Sequence, residues 1–312
     1  MKTGLVLIIA DYTDQQRAYS YQQTRELAQQ AEEAGFDSLW LYDHLLFRKE
    51  GEPTVGIWEC WTFLSALAEA TQHVELGTLV ACNSFRNPAL LAKMAITLDE
   101  VSKGRLILGV GAGWNKPEYK AFGFPFDYRV SRFEEALQII RPLLKERRVD
   151  FEGKYYQARE CEIRPLGPRP GGPPLMVGCD GKRMLRLTAK YADLWNTGYL
   201  EQADRFTRPH QQLMEACQET GRDPATIGVT VMIPVRYPKL MSEPADTDEP
   251  SLIGTQKEIA QAMLAYQKAG VEHIMFQLTP YIPAAIHKLE QALHLYRQLS
   301  DEQGLKDHLD RN

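Results

Sequence analysis

Eight short apolar runs recur along the chain, each followed by a stretch of helical periodicity, and this alternation limits the fold more than any other feature. The runs are Leu5–Ala10, Ser38–Tyr42, Val74–Val80, Arg105–Val110, Pro174–Val177, Leu194–Thr197, Gly228–Ile233 and Glu272–Leu278. Near-continuous Val, Ile and Leu at this length is the pattern of a strand buried on both faces. Strands alternating with helices form a parallel sheet, and eight is the number that closes a (β/α)8 barrel. An open doubly wound sheet is the alternative, but no dinucleotide fingerprint follows the first run.

The helices between the runs have legible ends. Ser20 and Gln23 spell a capping box, with Gly35 as the stop. Asn87-Pro88 is an N-cap with proline at the first helical position, and that helix stops near Gly104. Thr255 and Glu258 cap another that ends at Gly270. Three stretches break the rhythm. Gly111 to Val130 reads as a long loop after the fourth run. Val149 to Gly172 reads as a hairpin insertion after the fourth helix. Pro234 to Gly254, with four prolines and an acidic run, reads as a flap after the seventh. One barrel domain over residues 1–312 is expected.

A net charge of -5 argues against nucleic acid as a partner, because duplex binding needs a basic face. Five scattered cysteines without a C-x-x-C spacing argue against a disulfide framework or a metal site. Met1 to Ala10 is apolar but runs into Asp11, too short to span a bilayer and without a cleavage site. A cytoplasmic protein with no membrane partner is the expectation.

In a barrel, chemistry belongs at the carboxyl ends of the strands. Asp43-His44 follows the second run, and a histidine beside a carboxylate can exchange protons near neutral pH. A structural pair that ties down the loop is the alternative. Cys82 to Arg86, including Asn83, follows the third run. Gly111-Ala112-Gly113-Trp114 follows the fourth; its glycines suit close approach of a flat ligand to bare backbone rather than a dinucleotide fingerprint. Gly178-Cys179-Asp180-Gly181-Lys182 follows the fifth and leads into a helix, giving either an anion cradle or a plain strand–helix turn. Serine hydrolase, zinc hydrolase and nucleotide triphosphatase motifs are absent.

At these residues the sequence resembles the bacterial luciferase-like superfamily of flavin-dependent monooxygenases and deazaflavin (coenzyme F420)-dependent oxidoreductases. The likeness is carried by Ala31 to Trp40 leading to Asp43-His44, by Leu76-Gly77-Thr78 with Arg86-Asn87-Pro88, and by Ser102 to Arg105 before Leu108 to Gly111. Glu118-Tyr119, Phe122-Gly123, Gly178 to Gly181, Leu185-Arg186-Leu187 and Ala192-Asp193 continue it. The resemblance implies a barrel with an insertion, a homodimer, and a cofactor in the barrel mouth that exchanges a hydride with a small-molecule substrate. Gly178 to Lys182 would hold the cofactor phosphate, and Gly111 to Gly113 would approach it. Leu79-Val80, at a non-proline cis peptide, would support the ring, and His44 would sit at its reactive edge. Asp43, Trp58, Cys82, Asn83 and Trp114 would face the substrate. An arginine that reaches the flavin phosphate in the luciferase branch is replaced here by Ala112, which favours coenzyme F420. FMN in a two-component monooxygenase, supplied by a partner reductase, is the alternative. In the deazaflavin sugar and alcohol dehydrogenases a glutamate stands where Trp114 stands, and a tryptophan where Arg48 stands.

Overall fold

Each of the eight apolar runs becomes a strand, and the strands close on one another. The computed structural model describes residues 1–11, 18–198, 200–241 and 250–309, the last seven of these as backbone only. In chain order the elements are β1 Lys2–Val6, α1 Tyr21–Glu33, β2 Ser38–Leu41, α2 Cys60–Ala70, β3 Glu75–Thr78, α3 Pro88–Val101, β4 Leu106–Gly111 and α4 Arg129–Lys145. They continue as β5 Leu175–Gly178, α5 Lys182–Tyr191, β6 Leu194–Gly198, α6 Thr207–Thr220, β7 Gly228–Arg236, α7 Gln256–Lys268, β8 His273–Thr279 and α8 Pro283–Leu309. Neighbouring strands pair in parallel in the order β5-β6-β7-β8-β1-β2-β3-β4, and β4 pairs with β5 to close the barrel. This is a (β/α)8 barrel, and the open-sheet alternative falls away.

The caps are formed as spelled. Ser20 with Gln23 and Thr255 with Glu258 make reciprocal capping boxes, and Asn87 accepts from the amides of Ala89 and Leu90. The hairpin after α4 pairs Arg148–Glu152 with Gln157–Glu162. The peptide bond between Leu79 and Val80 is cis.

Three boundaries differ from the sequence reading. β1 begins and ends earlier than Leu5–Ala10: Lys2 to Leu5 pair with β8 and Gly4 to Val6 with β2, while Leu7 to Ala10 are equally buried beyond the last paired residue. Apolarity reports burial, not pairing. β7 runs on to Arg236, into the expected flap. Pro234 is tolerated there because β6 has already ended opposite Met232, leaving an edge where Leu252 lies against Pro234 and Arg236 instead. The acidic part of the flap, 242–249, lies outside the described residues. Finally, the loop expected at 111–130 contains a short helix, Lys116–Phe122, opened by Pro117 and stopped by Gly123. A small hairpin, Leu46–Phe47 with Val55–Gly56, had no sequence signal.

The barrel interior is plugged at its lower end by Trp40, which is fully buried. Its indole Nε1 donates to Ser38 Oγ at 2.7 Å, and Ser38 Oγ lies 2.7 Å from His273 Nε2. Burial, reinforced by the nearby Lys2 charge, pushes the His273 imidazole down to about 3. The unfolded chain therefore takes up a proton near 6.5 that the folded chain refuses until about 3. Stability contributed by neutral His273 is present above pH 6.5 and is lost as pH falls through that window, by about 5 kcal/mol in total at 1.36 kcal/mol per unit. Denaturant melts between pH 7 and 4 are expected to show a shallower stability loss for His273→Gln than for the parent. Identical slopes would contradict this assignment.

Candidate active site

The strands stop at one end of the barrel around a cavity of about 510 Å³, within the size range of cofactor and substrate pockets. From the end of β2 come Tyr42, Asp43 and His44. Asp43 is a structural anchor: Arg86 grips its carboxylate through two nitrogens at 2.6 and 3.0 Å, and the Cys82 amide donates to it at 2.9 Å. Burial pushes the Asp43 carboxyl up, while Arg86 and the Cys82 amide pull it back. The guanidinium is itself depressed by burial, but its two carboxylate partners, Asp43 and Glu59, hold it above its ordinary value. Asp43 lines the cavity with its oxygens already engaged.

His44 is oriented by a different carboxylate. Its Nδ1 lies 3.0 Å from Glu118 Oε1, on the short helix, and Glu118 Oε2 also accepts from the Leu45 amide at 2.9 Å. Glu118 is almost fully buried, whereas the His44 side chain keeps some exposure to the cavity. With Nδ1 engaged by the Glu118 carboxylate, Nε2 is the ring nitrogen left for proton exchange in the cavity.

Leu79 and Val80 line the floor. A Cβ on Gly111 or on Gly178 would stand 2.7 Å from the Val80 side chain, so these two glycines make room for Val80 rather than for a ligand. Gly113 has φ +77°, and a Cβ there would meet Tyr119 Oη at 1.9 Å and Cys82 Sγ at 2.6 Å. Ala112 and Trp114 lie between and beyond these glycines in the wall. Cys82 sits 3.0 Å from the Tyr119 hydroxyl, and burial pushes its thiol up to about 12; burial does the same to Cys179. Neither is a thiolate nucleophile at neutral pH.

On the far side, Cys179 and Asp180 line the cavity at the start of α5, and Asp180 accepts from Thr197 Oγ1 at 3.0 Å. Gly181, the N-cap residue of α5, has no side chain with which to cap the helix. It sits at φ +89°, with no atom within 4 Å of where a Cβ would be. The first-turn amides of an uncapped helix are anion donors.

Four expected site residues do not line the cavity, Gly181 at the start of α5 among them. Lys182 points outward to Glu219 at 3.2 Å. Asn83 is buried against Tyr156, and Trp58 stacks on Phe63 and donates to Tyr19 O at 3.0 Å; neither lines the cavity. Conversely, the wall includes Phe47, Arg129, Asn196 and Thr197, which sequence reasoning did not single out. The polar pair Asn196-Thr197 closing an apolar strand was the available signal.

The profile of the family described as luciferase-like monooxygenase matches residues 1–238. An F420-dependent glucose-6-phosphate dehydrogenase from Amycolatopsis mediterranei (strain U-32) is 37% identical over 183 residues, 56% of this chain and 51% of that protein. The match thus spans about half the length of that relative. A phthiodiolone/phenolphthiodiolone dimycocerosates ketoreductase from Mycobacterium kansasii is 30% identical over 262 residues, covering 77% of this chain and 70% of that one. Among solved structures, an F420-dependent secondary alcohol dehydrogenase in complex with an F420–acetone adduct superposes with a TM-score of 0.79 at 20% identity. The superposition covers 95% of this chain and 98% of that one.

Proposed function

The chain belongs to the luciferase-like monooxygenase family, and from that premise we propose that it is an oxidoreductase using the deazaflavin coenzyme F420 to exchange a hydride with a small organic substrate. The observation that carries this reading is the His44–Glu118 pair, a proton carrier held in one orientation beside a cavity that also offers an uncapped helix start. The residues present fit such a cofactor. The cavity is large enough for a three-ring system, and Gly181 leaves open space at the amino-terminal start of α5.

When bound, the reduced deazaflavin supplies a hydride from C5 of its ring. The protein's own residues do the rest. Leu79 and Val80 form an apolar shelf, and the amides at the start of α5 donate to the phosphate. His44 Nε2 gives a proton to the substrate oxygen on reduction, or takes one on oxidation. Glu118 fixes the imidazole and stabilises its charged form. Ala112 offers no cation to a flavin phosphate, which supports the deazaflavin over FMN. One domain spanning 1–312, a cytoplasmic homodimer and a separate reductase that recycles the cofactor belong to the same proposal.

Anaerobic mixing with reduced deazaflavin and a panel of ketones and aldehydes tests it. Oxidation of the deazaflavin without oxygen is expected. Product formation only with reduced FMN and oxygen would overturn the reading in favour of a two-component monooxygenase.

A further inference from the structure

The two ends of the cavity are built from different chemistry. Toward β5 and β6 the wall is polar, with Asp180, Asn196 and Thr197; toward β2 and β4 it is aromatic. Phe47 and Trp114 stack with centroids 6.1 Å apart and planes 28° from parallel. The His44 ring centroid lies 4.5 Å from that of Phe47 and 5.4 Å from that of Trp114, the latter pair edge to face. These rings come from separate loops that are pinned together. Asn115 Nδ2 donates to Leu46 O at 2.8 Å, and the Leu45 amide donates to Glu118. Trp114 is nevertheless 65% exposed. An indole fixed at a cavity mouth and left uncovered is an apolar face awaiting a ligand.

The carboxylates at this end are already engaged. Arg86 holds Asp43, and His44 with the Leu45 amide holds Glu118. Among the described residues of the wall the one Lys or Arg is Arg129. Its guanidinium donates to Gly113 O and Phe126 O and lies 3.7 Å over the Phe126 ring. A sugar phosphate placed here would set its hydroxyls against rings that cannot bond them.

We infer that the substrate is a flat, uncharged aromatic molecule that stacks on Trp114 and Phe47 with its reacting oxygen toward His44. This rests on the hydride-transfer reading and names the substrate class for the same site. Phe47 and Trp114 are then the residues that set specificity.

Isothermal titration of the protein holding oxidised deazaflavin, with 2-acetonaphthone and glucose 6-phosphate as probes, tests it. The naphthyl ketone is expected to bind at least ten-fold more tightly than the sugar phosphate. Trp114→Ala should weaken ketone binding ten-fold or more, and Trp114→Phe should restore most of it. Deazaflavin affinity should stay within two-fold in both variants. Equal affinity for the two probes, or ketone binding indifferent to Trp114→Ala, would overturn the inference. If deazaflavin does not bind at all, the hydride-transfer reading fails by itself. The ketone titration on cofactor-free protein then decides the wall's role: the same Trp114 dependence upholds it and a lack of dependence overturns it.

Discussion

Replacing His44 by asparagine is expected to lower turnover by about 10²–10⁴ while leaving cofactor affinity nearly unchanged, the scale of a lost general acid or base. The expectation follows from geometry. His44 Nδ1 is held by Glu118, so the other ring nitrogen is the one that can exchange a proton in the cavity. Asparagine keeps a polar group near Glu118 but has no titrating nitrogen. Steady-state rates measured with the substrate and cofactor saturating check this directly. A rate within a few-fold of the parent would remove His44 from the chemistry. Glu118→Gln provides the companion measurement: as a positioning residue it should shift the pH–rate profile as well as lower the rate, since a neutral amide no longer stabilises the imidazolium.

The second large effect is structural. Gly77→Ala is expected to destabilise the barrel by about 3 kcal/mol or more, at the upper end of overpacking in a well-filled core. A Cβ at Gly77 would stand 2.1 Å from Trp40 Cζ3 and 2.3 Å from Cε3. Trp40 is fully buried between strands and tied through Ser38 to His273, so it has nowhere to move. Urea unfolding monitored by far-UV circular dichroism would measure the loss. A shift below 1 kcal/mol would show that the indole can yield.

Gly77 also shows where sequence reading stops. The eight strands were legible because burial on both faces leaves a continuous apolar run, and the caps were legible because their partners lie three residues apart. The position of His44 at the cavity was legible because a polar Asp-His pair at the carboxyl end of a barrel strand belongs to the mouth of the barrel. Its orienting partner was not, because Glu118 lies 74 residues further along, and adjacency pointed instead to Asp43, whose carboxylate Arg86 occupies. The glycines at the strand ends read as bare backbone for a ligand. In the structure Gly111 and Gly178 clear space for Val80, Gly113 for Tyr119, and Gly77 for Trp40. A glycine records that something comes close without recording what. Trp58 and Trp114 are likewise indistinguishable as letters; only the loop geometry puts one against Phe63 and the other in the cavity wall.

Equilibrium titration of the purified apo-protein with coenzyme F420 and with FMN at matched salt decides whether this cavity is a deazaflavin site. Ala112 gives a flavin phosphate no side-chain cation, whereas the shelf and the uncapped α5 start are available to the deazaflavin. The deazaflavin is therefore predicted to bind at least ten-fold more tightly, about 1.4 kcal/mol. Equal affinities, or tighter binding of FMN, would contradict the account.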